Sequence, residues 1–221
     1  KKMEKIPIYF MPGLAAGPEI FENLELDSEK YTFHYLRWIQ PLSIDENISN
    51  YAYRLSASIK EKKPVLIGVS FGGILVQELA RFVQPRKVII ISSIKSHAEL
   101  PFKYKIARHS KIYKIFPLKI IENFEDYTKY FLGGALNKKA VLYQKYLSVR
   151  NKKYLKWSLS ALIHWKQINP IEDIIHIHGT KDPIFPVKNI QNYIEIKEGT
   201  HVIILSKAKK ISKIIDTILT C

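Results

Sequence analysis

The chain has 221 residues, 47% of them hydrophobic, which suits one domain with a substantial buried core. It carries 35 Lys and Arg residues against 20 Asp and Glu, a formal net charge of +15. Most of that charge is scattered lysine rather than arginine, the residue suited to bidentate phosphate and base contacts. Specific nucleic-acid binding is therefore not expected, although the positive field should attract anionic substrates or surfaces.

Short β-rich runs alternate with helical patterns along most of the chain. Strands are predicted at residues 6–10, 31–38, 64–69, 87–93, 174–179 and 193–199. Helices are predicted at residues 43–60, with Ser43 as the capping residue, 72–83 and 207–219. This alternation predicts an α/β fold with a mostly parallel sheet covered by helices on both faces.

One long segment interrupts the alternation. Residues 94–169 contain helical patterns and no convincing strand, so we expect a helical cap inserted after the fourth strand. The core would then consist of residues 1–93 and 170–221. The cap is rich in aromatic residues, most of which should pack within it while some line a pocket; they are Phe102, Tyr104, Tyr113, Phe116, Phe124, Tyr127, Tyr130, Phe131, Tyr143, Tyr146, Tyr154, Trp157 and Trp165.

Ser70 stands between Gly68 and Gly72, directly after the third predicted strand and before a predicted helix. A strand that turns abruptly into a helix brings two stretches of backbone together, so glycine is needed two positions before and after the bend. Ser70 would then lie at the apex in a strained conformation with its hydroxyl exposed. The amide of Phe71, at the helix N-terminus, could donate to an anion. The alternative is a serine that only caps the helix.

An activated serine needs a base and a group that orients the base. Among seven histidines, His201 is distinctive because it follows the sixth predicted strand on a glycine-containing loop before the last helix. Asp182 lies in the loop after the fifth strand, where an ordinary turn aspartate is the alternative. Reactive groups of parallel sheets gather at the carboxyl ends of strands. Ser70, Asp182 and His201 are therefore expected to converge there.

The chain resembles the α/β-hydrolase fold family over nearly its whole length. The matching stretches are "PGL" (12–14), "GVSFGG" (68–73), "HGTKDPIFP" (178–186) and "GTH" (199–201), in the family's order of nucleophile, acid and histidine. The resemblance implies a three-layer α/β-hydrolase fold with Ser70 as nucleophile, His201 as general base and then acid, and Asp182 as the orienting carboxylate. It also implies an oxyanion hole formed by the amides of Phe71 and Leu14.

Two features depart from the family pattern. Pro12 stands where the family usually has a histidine, so the loop that carries Leu14 must be anchored differently. The interval from Asp182 to His201 is 201 − 182 = 19 residues, which is short and leaves little room for the usual helix. A serine rather than an aspartate at position 70, the position of the family's nucleophile, argues against dehalogenase or epoxide-hydrolase chemistry.

These residues lead us to expect a serine hydrolase that cleaves an ester or thioester of a small acyl substrate, with no metal and no cofactor. One alternative is a C–C bond hydrolase or lyase acting on a carboxylated metabolite. Another is a ligand-binding protein without catalysis. Lysines of the cap could favour an acidic acyl group or a phosphate-bearing carrier such as coenzyme A; they are Lys103, Lys105, Lys111, Lys114, Lys119, Lys129, Lys138, Lys139, Lys145, Lys152, Lys153 and Lys156.

The sequence also bears on compartment. Its longest apolar runs are too short to span a bilayer, and its first residues lack the apolar stretch of a secretory signal. The single cysteine, Cys221, can form no disulfide within the chain. We therefore expect a cytoplasmic protein without a transmembrane segment.

Overall fold

The structure is a computed structural model that describes residues 4–110 and 145–220. Within those residues, six strands form one sheet in which every neighbouring pair is parallel, in the order β2-β1-β3-β4-β5-β6. The strands are β1 (Ile6–Met11), β2 (Tyr31–Tyr35), β3 (Val65–Val69), β4 (Lys87–Ile91), β5 (Ile175–Gly179) and β6 (Ile194–Ile196).

Helices cover both faces of this sheet. They are α1 (Ile48–Ser56), α2 (Phe71–Val83), α3 (Phe102–Ser110), α4 (Lys152–His164), α5 (Ile203–Ser206) and α6 (Ala208–Thr220). Short 3₁₀ helices lie at Pro18–Phe21, His97–Glu99 and Val187–Asn189. Among the helices described, none is both long enough and apolar enough to cross a membrane.

Two hydrophobic cores lie on opposite faces of the sheet. Because successive side chains of a strand point to opposite faces, β3 contributes residues to both cores. Leu66 points into the core that contains α1, α2 and α4, whereas Ile67 and Val69 point into the core that contains α5 and α6. All five residues of β3 are buried, as expected for a central strand of a covered parallel sheet. The carboxyl end of β3 is therefore held rigidly from both sides.

The predicted strands and helices are all present, with different ends. Strand β2 ends at Tyr35 instead of residue 38, and β6 has three residues instead of seven. Helix α1 begins at Ile48 because Asn47, not Ser43, caps it: the Asn47 side chain accepts a hydrogen bond from the Ser49 amide at 2.8 Å.

The carboxyl-terminal part of the predicted cap is fastened to the sheet domain. The Trp157 indole donates to the Glu46 carbonyl at 2.9 Å, and the Trp165 indole donates to the buried Glu78 carboxylate at 2.8 Å. Both tryptophans belong to the same hydrophobic core as α1 and α2. This part of the segment therefore shares its core with the sheet, and the boundary between cap and core stays a prediction.

We expect Trp157→Ala to lower the free energy of unfolding by about 3–5 kcal/mol, because Trp157 is fully buried and its ring stacks 4.0 Å from that of Tyr51. Urea denaturation followed by circular dichroism measures the change. Leu42→Ala is the matched surface control, since Leu42 is 68% exposed, and it should change the value by no more than about 0.5 kcal/mol. Equal effects of the two substitutions would contradict the described core.

Candidate active site

The sharp turn from β3 into α2 places Ser70 in a strained backbone conformation, with φ 54° and ψ −122°. Such a conformation costs a residue other than glycine about 1–3 kcal/mol, so the surroundings must enforce it. Here the Ser70 amide donates to the Ile91 carbonyl at 2.9 Å, and the Ser70 carbonyl accepts from Gly73 N at 2.9 Å and from Ser93 Oγ at 2.7 Å. The Ser70 hydroxyl makes no capping bond to α2, so helix capping does not account for this serine.

Both flanking glycines are required by close backbone contacts. A Cβ on Gly68 would lie 2.6 Å from the carbonyl carbon of Gly72, which is the crowding across the turn that the sequence predicts. A Cβ on Gly72 would lie 2.5 Å from the carbonyl oxygen of Met11, at the end of β1. The second glycine is thus required by the neighbouring strand rather than by Gly68.

The structure brings the three predicted polar residues together at the carboxyl ends of β3, β5 and β6. His201 Nε2 lies 2.9 Å from Ser70 Oγ, and His201 Nδ1 lies 2.8 Å from Asp182 Oδ2. The other carboxylate oxygen of Asp182 accepts from the amides of Ile184 and Phe185 at 2.8 and 2.9 Å. Two backbone amides therefore set the direction in which Asp182 faces His201.

Asp182 is almost completely buried, and burial by itself would raise its pKa. The facing His201 ring and the Phe185 amide outweigh that effect, and the pKa of Asp182 lies below its ordinary value. The carboxylate is therefore ionised at neutral pH and accepts the proton on His201 Nδ1. His201 Nε2 is then left to accept the proton of the Ser70 hydroxyl.

A second histidine lies behind Asp182. His178 Nε2 is 2.8 Å from the Phe185 carbonyl and 3.4 Å from Asp182 Oδ2, and His178 Nδ1 lies 3.0 Å from His176 Nε2. Burial lowers the pKa of His178 and, more strongly, that of His176, so both are neutral. Both histidines lie in β5, and in the sequence only the "HGTKD" spacing, four residues from His178 to Asp182, indicates the contact.

A cavity of about 140 Å³ opens beside Ser70 and His201. Apart from those two residues and the rings of Tyr104 and Tyr146, the side chains that line it are hydrocarbons, among them Val69, Leu162 and Ile204. Among the described residues, no lysine, arginine, aspartate or glutamate lines this cavity. A neutral apolar group is the kind of ligand that such a lining accommodates.

The two amides expected to form an oxyanion hole lie at the same cavity. Leu14 and Phe71 both line it, and neither amide N–H has a hydrogen-bond acceptor among the residues that the structure describes. Phe71 is the first residue of α2, where an amide has no partner within the helix. A Cβ on Gly13 would lie 3.4 Å from the Ser70 Cβ, so the loop that carries Leu14 runs directly beside the serine.

The aromatic residues of the predicted cap divide into several groups. Tyr104 and Tyr146 line the cavity, whereas Tyr154, Trp157 and Trp165 are buried in the core; Phe102 is 75% exposed. The remaining ones lie outside the described residues: Tyr113, Phe116, Phe124, Tyr127, Tyr130, Phe131 and Tyr143.

The cap lysines that the structure describes lie away from the cavity. Lys145 pairs with Glu22 at 2.6 Å, and Lys153 donates to the Leu42 carbonyl at 2.7 Å. None of the described cap lysines lines the cavity; they are Lys103, Lys105, Lys145, Lys152, Lys153 and Lys156. The others lie outside the described residues: Lys111, Lys114, Lys119, Lys129, Lys138 and Lys139.

Within residues 4–110 and 145–220, no group of three or more His, Cys, Asp or Glu side chains is arranged to hold a metal ion.

No protein-family model matches the sequence, and no curated protein matches it. Solved structures do match it over nearly the whole chain. An esterase from Exiguobacterium antarcticum has a TM-score of 0.71 at 15% identity, covering 99% of this chain and 93% of that one. A lipase-esterase related protein from Clostridium acetobutylicum has a TM-score of 0.63 at 19% identity, covering 98% and 96%.

An epoxide hydrolase from Bacillus megaterium, solved with an inhibitor, also matches, with a TM-score of 0.61 at 13% identity over 100% of this chain and 95% of that one. At these identities the likeness shows a shared fold alone. Since the matching proteins include different hydrolases, the reaction has to be argued from the side chains at the site.

We expect Asp182→Asn to lower the rate at which Ser70 reacts with a p-nitrophenyl ester by about 10⁴-fold, because an amide NH₂ facing His201 Nδ1 would favour the wrong tautomer of the imidazole. Asn can still accept the two amide bonds through its oxygen, so the fold should persist. Steady-state kinetics and a thermal melt measure the two effects. Activity close to that of the unsubstituted protein would contradict an orienting role for Asp182.

Proposed function

We propose that this chain, which has the α/β-hydrolase fold, is a serine hydrolase that cleaves a neutral ester or thioester of a small acyl group through an acyl-enzyme. The observation that carries the proposal is the hydrogen-bonded series from Ser70 Oγ through His201 to the buried Asp182, placed on a strained turn that opens into an apolar cavity. That arrangement supports a nucleophile with its base and the group that orients the base.

In the proposed reaction, His201 Nε2 takes the proton of Ser70 as Oγ attacks the carbonyl carbon of the substrate. The carbonyl oxygen becomes an anion that accepts hydrogen bonds from the amides of Phe71 and Leu14. Each such donor typically lowers the barrier by about 3–4 kcal/mol. His201 then gives its proton to the departing alcohol or thiol, and the acyl group stays on Ser70. A water molecule, deprotonated by His201, attacks the acyl-enzyme, and the acid leaves as Ser70 recovers its proton.

The lining of the cavity bears on the acyl group. Burying a carboxylate against hydrocarbon side chains without a cation is costly, so the described lining argues against an acidic acyl group and against a carboxylated C–C substrate. The cavity volume is close to that of an engineered apolar cavity of about 150 Å³ that binds benzene. An acyl group of about two to six carbons therefore fits best.

A binding protein without catalysis would have no use for this geometry. A strained serine costs stability, and so does a buried carboxylate that must be kept ionised. Ser70 and Asp182 show both features, and His201 joins them. The pair of costs is explained if the serine reacts.

We expect Ser70→Ala to lower the turnover of p-nitrophenyl butyrate by at least about 10⁴-fold while the thermal midpoint is maintained or rises. The reason is that Ala removes the nucleophile and leaves the buried contacts intact. A fluorophosphonate probe should label the unsubstituted protein at Ser70 and fail to label the variant, as mass spectrometry would measure. Full turnover by the variant would refute the proposal.

We expect neutral short acyl chains to be preferred over long or charged ones, because the cavity is small and apolar. The measurement compares kcat/KM for p-nitrophenyl acetate, butyrate, hexanoate and decanoate with that for p-nitrophenyl hemisuccinate, at low and high salt. A preference for the hemisuccinate that disappears at high salt would instead support a role for the lysines.

A further inference from the structure

The loop of residues 12–17, which we call the oxyanion loop, carries Leu14 and has proline at position 12. We propose that Trp38 and Tyr154 are positioning residues that hold this loop so that the Leu14 amide faces the reacting carbonyl; the proposal rests on the hydrolase function proposed above. Neither residue lines the cavity, so neither is expected to touch the substrate.

Trp38 acts on the peptide bond between Gly13 and Leu14. Its indole Nε1 donates to the Gly13 carbonyl at 2.9 Å, and the Ala16 amide donates to the same oxygen at 3.0 Å. The peptide unit is planar, so the Gly13 carbonyl and the Leu14 N–H lie in one rigid plane and point in opposite directions. Two donors on the carbonyl therefore fix the direction of the Leu14 N–H. Rotating that peptide plane, so that the Leu14 N–H turns away from the cavity, would break both hydrogen bonds to the Gly13 carbonyl.

Tyr154 acts on the next peptide bond. Its hydroxyl accepts from the Ala15 amide at 3.1 Å, and the Ala15 carbonyl accepts from the Val149 amide at 3.0 Å. Ala15 has a φ of 63°, a left-handed conformation that is unfavourable for alanine and has to be maintained by its neighbours. Both peptide planes that flank Leu14 are therefore held by side chains from other parts of the chain.

Trp38 also links the two proposed oxyanion donors. Its ring stacks on that of Phe71, with centroids 5.2 Å apart and 9° between the planes, and packs at 5.3 Å against Tyr154. The backbone next to Trp38 is fixed as well, because the Tyr51 hydroxyl bonds both the amide and the carbonyl of Ile39 at 2.8 Å. One indole thus contacts the loop of one donor and the side chain of the other.

The test compares Trp38→Phe and Tyr154→Phe with a matched control, Trp157→Phe. The ring of Trp157 packs against that of Trp38, with centroids 6.4 Å apart. Its indole also donates a hydrogen bond of 2.9 Å, but to the Glu46 carbonyl, which is not part of the oxyanion loop. A purely structural role predicts similar losses for both tryptophan variants. A positioning role predicts that only Trp38→Phe and Tyr154→Phe affect the chemical step.

For p-nitrophenyl butyrate we expect Trp38→Phe to lower kcat about 10- to 100-fold, somewhat less than complete removal of an oxyanion donor, with KM changed less than about 2-fold. Binding of butylboronic acid, which forms a tetrahedral adduct on serine, should weaken by a similar factor. Trp157→Phe should keep kcat within about 3-fold. Equal kcat for the two tryptophan variants would overturn the proposal.

Amide hydrogen exchange measured by NMR gives a second readout that needs no activity. The Ala15 amide should be protected in the unsubstituted protein and in Trp157→Phe, and should exchange at least about 10-fold faster in Tyr154→Phe. Unchanged Ala15 exchange would overturn the role of Tyr154 even if all variants are active. A third outcome is that the exchange pattern is as expected but no turnover depends on Ser70. That outcome would count against the hydrolase function and leave the loop contacts established.

Discussion

The close approach of β1, β3 and α2 at Ser70 is the constraint on which the site depends. A φ of 54° is unfavourable for serine, and it persists because the hydrogen bonds to Ile91, Gly73 and Ser93 would all be lost if the turn relaxed. Strand β3, which leads into the turn, is buried along its whole length, so the strain is balanced by ordinary hydrophobic burial elsewhere. The site is therefore rigid where the proposed nucleophile lies.

The other two members of the site depend on the same sheet. Asp182 and His201 lie on loops that leave β5 and β6, and those strands are paired in register with each other and, through β4, with β3. Parallel strands that end at one edge bring residues far apart in the chain within hydrogen-bonding distance. The 19-residue interval between Asp182 and His201 contains only a three-residue 3₁₀ helix and the three residues of β6.

Helix α4, which lies in the segment predicted to form the cap, contacts both the oxyanion loop and the core. It supplies Tyr154 to the oxyanion loop and Trp157 to the core beside α1.

The lysine, arginine and carboxylate side chains that the structure describes do not line the cavity. Described lysines such as Lys145 and Lys181 form surface pairs with Glu22 and Glu198, while the cavity beside Ser70 is lined mostly by hydrocarbon side chains. The high net charge of the chain therefore does not describe the chemistry of its cavity.

The sequence alone was enough to predict the α/β fold, its six strands and the meeting of Ser70, Asp182 and His201. Strand and helix periodicity are local properties, and glycine at 68 and 72 marks a turn that tolerates no side chain. The likeness to solved α/β-hydrolase structures confirms that fold. The ends of α1 and β6 were less well predicted, because a nearby alternative cap and the pairing partner decide where an element ends.

Tertiary structure alone decided how the oxyanion loop is held and what lines the cavity. Trp38 reads as the end of a strand, yet the chain leaves the sheet after Tyr35 and the indole reaches Gly13. Tyr154 is one of many aromatic residues in its segment, and nothing in the sequence distinguishes it from Trp157. A backbone carbonyl or amide accepts any suitable partner that the fold brings to it, so such contacts have no sequence pattern and depend on the three-dimensional packing.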